Sequence, residues 1–230
     1  MKNLLFCFLL VLGSVAGFTQ QRDKIRVRAG EDIAQAYSPN GFYRFPDFTK
    51  AILYFYTGSN NTGLHFNYNL LAGNLQFISP RGDTLDLAAP ATIDSVVFDK
   101  TIFYYREGFL ELTARIDSLR LLKKIIVRLD VEKIGAYGQA SPTASITNYN
   151  SFFSGNGVHK LLLNQDVVVS ETISWLLMDP KGKLSKATKS NFLAGLSPAT
   201  KQKADDYHKR NKVNYEKESD ILKLVKALTD

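Results

Sequence analysis

The chain has 230 residues, 29 Lys and Arg against 22 Asp and Glu, a formal net charge of +7 and a single cysteine, and 45% of it is hydrophobic. That length suits one good-sized domain, or a domain with an appendage, whose core holds without disulfides. A lone cysteine excludes a disulfide framework.

The first residues, "MKNLLFCFLLVLGSVAGFTQ", place Lys2 ahead of an apolar run from Leu4 to Leu12, followed by Gly13, Ser14, Val15 and Ala16. This is the order of a secretory signal peptide, and small residues two apart at Ser14 and Ala16 predict cleavage after Ala16. The apolar run is shorter than the roughly 20 residues that span a bilayer, so the expectation is no transmembrane segment after cleavage. Cys7 lies inside the apolar run behind Leu5 and Phe6, where lipid attachment does not occur, and leaves with residues 1–16. The expected location is therefore exported: periplasm, cell surface or secreted.

From Phe45 to about Ile134 the apolar residues recur with period two between closely spaced turn-formers, which predicts consecutive antiparallel strands in a body spanning 17–180. "AILYFY" runs into the turn-rich "TGSNNTG". "LHFNYNL" then places Leu64, Phe66, Tyr68 and Leu70 on a core face, with His65, Asn67 and Asn69 on a wet one. "FISPRGDTLDL" contains Arg81-Gly82-Asp83, a tripeptide that adhesion receptors can read, but Pro80 and Gly82 account for it as a hairpin turn. In "FLELTARI" the alternation puts Leu110, Leu112, Ala114 and Ile116 on one face. "LRLLKKIIVRLDV" fits a helix at its start but is β-branched and alternating at its end, which favours strand.

Residues 135–157, rich in Gly, Ser, Thr and Asn, read as a long loop, or a pair of loops around a short strand, carrying Tyr137, Tyr149, Phe152 and Phe153. "VHKLLLNQDVVVS" and "ISWLLMDP" read as further strands, ending at Pro180. Residues 181–230 hold twelve Lys and Arg against six Asp and Glu, the mark of solvated helix surfaces. Ser197 before Pro198 starts one helix running to about Arg210, and "EKESDILKLVKAL" forms a second, with an apolar stripe and acids near its N-terminus. The expected fold is thus α+β: an antiparallel meander, sandwich-like or an incomplete barrel, followed by two C-terminal helices packed on it.

The tail "SKATKSNFLAGLSPATKQKADDYHKRNKVNYEKESDILKLVKAL" resembles the C-terminal ends of uncharacterised exported proteins of Bacteroidota-type bacteria. The shared pattern is a lysine-rich approach with a short aromatic segment at 189–193, a helix at 197–210, an "N-K-[IV]-[ND]-[FY]" stretch at 211–215 and an acid-led helix at 216–228. "FNYN", "LQFI" and "GDTL" in the β part are similar to the same group. The resemblance implies export and carries no active site to transfer.

The chemistry-bearing residues form no complete constellation. His65, His159 and His208 lack the close spacing of metal ligands, so neither a metal nor a cofactor is expected. Asp83, Asp86 and Glu111 are candidates for a hydrolytic carboxylate pair, although Asp83 reads as a turn residue. Ser154 is not in a nucleophile elbow, and "GNG" at 155–157 lacks the helix and lysine of a phosphate loop. Export argues against a nucleic-acid partner. The strongest binding candidates are Tyr137, Tyr149, Phe152 and Phe153, whose rings either stack on a glycan, peptide or envelope component or plug the end of the β body. The expected function is a non-enzymatic binding or structural module of the cell envelope; the alternative is a hydrolase acting on an envelope polymer or glycan.

Overall fold

The structure, a computed structural model, describes residues 20–21, 24–131 and 166–229. The expected signal peptide at 1–16 and the aromatic connection at 135–157, with Tyr137, Tyr149, Phe152 and Phe153, lie outside the described residues.

In chain order the elements are β1 (Gln20–Gln21), β2 (Ile25–Val27), α1 (Ile33–Tyr37), β3 (Thr49–Lys50), β4 (Ile52–Phe55), β5 (Asn60–Asn61), β6 (His65–Asn69), β7 (Asn74–Ile78) and β8 (Thr84–Asp86). Then come β9 (Ile93–Phe98), β10 (Thr101–Tyr105), β11 (Phe109–Ile116), β12 (Leu119–Val131), β13 (Val167–Met178) and β14 (Leu184–Lys186). The chain closes with α2 (Lys189–Gly195), α3 (Pro198–Arg210) and α4 (Glu218–Thr229). The protein is a β-rich antiparallel body with helices at its C-terminal end, an α+β arrangement. Among the described residues no helix is long and apolar enough to cross a membrane.

The strands form two sheets rather than one continuous meander. A large sheet runs β1-β13-β12-β11-β10-β9-β4-β5, with β2 and β14 also on the outer edge of β13, and a small one runs β3-β6-β7-β8. The chain changes sheet at buried Ala51, because β3 pairs with β6 whereas β4 pairs with β9. The small sheet is thus built from β3, which precedes β4, and from β6–β8, which lie between β5 and β9. Leu53, Val96, Phe98 and Phe103 of the large sheet pack with Phe66, Tyr68 and Leu75 of the small one in a shared inner core. Tyr68 lies 5.2 Å from Phe103 and 5.9 Å from Phe109, ring to ring, at the distances favoured by aromatic pairs.

Two expectations about faces are corrected. Asn67 and Asn69 are not on a wet face: they are 1% and 3% exposed, covered by the segment that follows α1. The Asn67 amide donates to the carbonyls of Phe45 and Asp47 and its oxygen accepts from the Phe45 N–H, while the Asn69 oxygen accepts from Leu71 and Ala72. Buried amides persist because these bonds replace water. In β11, a register shift between Leu112 and Ala114 leaves Thr113 as a bulge, which splits the supposed single face. Leu110 and Leu112 join an outer cluster with Tyr104, Leu122 and Met178, whereas Ala114 and Ile116 face the helices.

The C-terminal helices cover the upper half of the large sheet. Phe192, Ala204, Ile221, Leu224 and Leu228 pack on Leu121, Ile173, Trp175 and Leu177. Helix α3 begins as its sequence predicts, with the Ser197 hydroxyl accepting from the Thr200 N–H and Pro198 in the first turn. Helix α2 is an addition to the two expected; the Thr188 side chain caps it and Phe192 anchors it. At its end, a Cβ on Gly195 would lie 2.5 Å from Leu119 Cδ2, so any larger residue here would force the Leu119 side chain to shift. The "PRGD" hairpin is also as expected: the Gly82 N–H donates to the Ser79 carbonyl, Gly82 has φ +88°, and the Ser79 hydroxyl accepts from Arg81 and Asp83.

Asp117, in the turn between β11 and β12, ties the body to α3 by accepting from the Ser197 N–H at 2.8 Å and the Thr200 hydroxyl at 3.0 Å. The Ser197 N–H, assisted by Thr200, holds its carboxyl below the ordinary aspartate value. A depressed folded-state value adds stability above the unfolded pKa of about 3.9, and that increment is lost as pH falls through the folded value. Asp117→Asn should therefore lower the melting temperature at neutral pH and flatten its fall below about pH 4; parallel melting curves for both proteins down to acid pH would refute the tie. Leu224→Ala, emptying a fully buried site under α4, should cost about 3 kcal/mol by urea denaturation. A loss below about 1 kcal/mol would mean that the helices do not fold with the body.

Candidate functional site

Strands β12 and β13 pair without a break from Arg120↔Met178 to Val131↔Val167, and their inner face carries two covering layers. Val127, Leu129, Val167 and Val169 lie under the small sheet and α1; Leu121, Ile173, Trp175 and Leu177 lie under the helices. Ile125 packs against both cores and marks the seam. Beside it the alternation places charged residues on the inner face: Lys123, paired with Trp175, and Glu171, paired with Val127. On the neighbouring strand Glu111 stands opposite Lys123. A cleft of about 410 Å³ opens at this seam, lined by Tyr37, Tyr43, Arg44, Lys123, Ile125 and Glu171 among others.

Protein partners hold the ionisable groups of the cleft in place. Arg44 Nε and Nη2 donate to the two oxygens of Glu111, each at 2.8 Å, a two-point bond that fixes both side chains. Lys123 Nζ donates to Glu218 Oε1 at 2.9 Å, at the first turn of α4, and sits 5.8 Å from the centre of the Trp175 ring. The Glu111 hydrogen bond, offset by desolvation and helped by the charges of Glu111 and Glu218, raises the Arg44 pKa above its ordinary value. Glu171, 6% exposed, accepts from the Tyr37 hydroxyl at 2.6 Å. Burial, and then the charge of Glu111, pushes the nearby Tyr68 phenol up to about 12, so it remains protonated at physiological pH. Tyr43 donates to Gln76, which donates to Asp86; burial first and then the Asp86 charge raise the Tyr43 pKa.

This arrangement can present oriented donors, acceptors and two phenols to a polar ligand. Of the three candidate acids only Glu111 reaches the cleft region: Asp83 sits in the exposed hairpin, and Asp86, on β8, accepts from Gln76 of β7. His65 is exposed on β6, and His208 bonds the Ala204 carbonyl and the Tyr215 hydroxyl; His159 lies outside the described residues. Among the described residues, no three of His, Cys, Asp and Glu converge as a metal site requires. Elsewhere, the basic tail forms a shallow groove at Lys186, Lys189 and Lys212, where Lys186 is matched by Glu216 at 3.2 Å.

Sequence reasoning missed Tyr37, Arg44, Lys123, Glu171 and Glu218. A signal was available for two of them, since Lys123 and Glu171 interrupt the otherwise apolar core-facing side of β12 and β13. The Arg44–Glu111 pair should behave as a partly buried brace, Glu111 being 15% and Arg44 37% exposed at the side chain. In a double-mutant cycle with Arg44→Gln and Glu111→Gln, the coupling should be about 1 to 2 kcal/mol, between the values for exposed and buried pairs. Coupling below about 0.3 kcal/mol would make the pair incidental. No protein-family model, no curated protein and no solved structure matches the chain.

Proposed function

We propose that the protein is a non-enzymatic binding or structural module exported to a bacterial cell envelope. One observation carries this reading: the cleft's charged groups hold the layers together, Arg44 to Glu111, Lys123 to Glu218 and Glu171 to Tyr37. A hydrolytic carboxylate pair works by moving a proton or attacking a sugar carbon, which requires oxygens turned toward the substrate. Both oxygens of Glu111 instead accept from a guanidinium. The order of residues 1–16 and the resemblance of the tail to exported bacterial proteins support export.

The competing hydrolase reading draws on Glu111 and Glu171 approaching one seam from β11 and β13, the strands on either side of β12. Incubation of the purified protein with peptidoglycan and with envelope polysaccharides, assayed for new reducing ends and soluble fragments, separates the two. No release is expected from wild type. Release that disappears in both Glu111→Gln and Glu171→Gln would overturn the binding-module reading. For export, mass spectrometry of the natively produced protein should find its N-terminus near Gly17; an intact Met1 would overturn that part.

A further inference from the structure

The outer face of the large sheet carries a second cavity, of about 520 Å³, bordered by Tyr56, Ala91, Arg106, Glu107, Gly182 and Leu184 among others. Alternation along β4 turns Leu53 and Phe55 toward the inner core, which sends Tyr54 and the following Tyr56 to the opposite side. These two are 40% and 55% exposed; among the described residues the other large hydrophobic side chain left so open is Leu222 on α4, at 41%. In an extended strand two positions advance the backbone by about 6.5 Å; Tyr54 lies in β4 and Tyr56 just past its end, after a register shift against β9. That advance is roughly the length of one pyranose unit.

The Tyr56 ring is held rigidly. Its hydroxyl donates to the Tyr105 carbonyl and accepts from Arg106 Nη1, and the Arg106 guanidinium lies over the ring, 5.2 Å from its centre. Arg106 is itself fixed, Nη2 to Asp94 Oδ1 at 2.7 Å and Nη1 to the carbonyls of Tyr105 and Asp94 at 2.7 and 3.3 Å. A ring clamped on one side and open on the other makes a platform that loses little entropy when a ligand stacks on it. The hairpin that carries Gly182 closes the far rim. Gly182 has φ +82°, a left-handed backbone conformation that glycine adopts without strain.

We infer that Tyr54, Tyr56 and the Arg106–Glu107 rim form a binding site for a neutral carbohydrate chain. The C–H face of a pyranose stacks on an aromatic ring, and its equatorial hydroxyls, each both donor and acceptor, meet a fixed donor at Arg106 and an acceptor at Glu107. An anionic polymer fits poorly, because Asp94 already matches the charge of Arg106 and Glu107 adds repulsion. The inference takes its biological sense from the binding-module reading, while its chemistry stands apart from the inner cleft.

The test is an NMR and calorimetric titration of the full-length mature protein with cellohexaose, maltohexaose, mannohexaose and chitohexaose, and with a proline-rich decapeptide as the competing ligand class. At least one hexasaccharide should bind at millimolar or lower concentration, with resonance shifts centred on Tyr54 and Tyr56. The Tyr54→Ala/Tyr56→Ala double variant should weaken it by about tenfold or more, whereas Tyr56→Phe, which keeps the ring but loses its hydroxyl clamp, should weaken it by no more than about fivefold. Leu222→Ala, removing an exposed apolar side chain elsewhere, should change nothing. Failure of all four hexasaccharides to bind, equal binding by the double variant, or binding of the decapeptide alone would each overturn the site. Sugar binding accompanied by chain cleavage would support the platform and overturn the non-enzymatic reading, so the two fail separately.

Discussion

The long antiparallel pair of β12 and β13 is the constraint on which the molecule depends. Its inner face is longer than either covering layer, so the small sheet with α1 occupies one half and the three helices the other. Apolar side chains suit both halves because each is sealed from water. At the junction neither layer seals the sheet fully, and a continuous apolar strip would leave Ile125's neighbours partly wet. Lys123, Glu171 and Glu111 stand there instead, and each bonds outward to a different part of the chain.

Those bonds make the cleft, with its several ionisable groups, a joint between parts of the fold. Arg44 comes from the segment after α1, Glu218 from the start of α4, Tyr37 from the end of α1, and each meets a partner on β11, β12 or β13. The joint couples three separate parts of the fold, and the cost of burying charge is limited because Arg44–Glu111 and Lys123–Glu218 are partly exposed ion pairs and buried Glu171 accepts from the Tyr37 hydroxyl. The outer face has the opposite character. There the rings of Tyr54 and Tyr56 remain open, and the fixed guanidinium of Arg106 serves to orient a ring rather than to join layers.

The parts of the fold that local chemistry specifies were legible in the chain. Pro80 and Gly82 require the hairpin at 79–83, Ser197 and Pro198 require a helix start, and the alternation of Leu119 to Val131 resolves to strand. The parts that escaped were decided by distant partners. A bulge at Thr113 reverses which residues of β11 face the helices, and it follows from pairing with β12, not from anything in "FLELTARI". Asn67 and Asn69 look like solvent residues because amides usually are; only the segment around Phe45 laid over them makes their burial favourable. Helix α2 is too short to show a period, and Phe192 anchors it from the core.

The candidate site shows the same division more sharply. Residue types and spacing were enough for an antiparallel β body, its main turns and the two longer C-terminal helices, because each depends on neighbours within a few positions. They did not show which strands share a sheet, since alternating strands carry no label for their partners, and so the split at Ala51 stayed hidden. Nor did they reveal the joint, whose bonds span 67, 95 and 134 residues of chain in Arg44–Glu111, Lys123–Glu218 and Tyr37–Glu171. Charge pairing of that kind exists only once the two layers have met over β12 and β13, which is why the tertiary structure alone could place it.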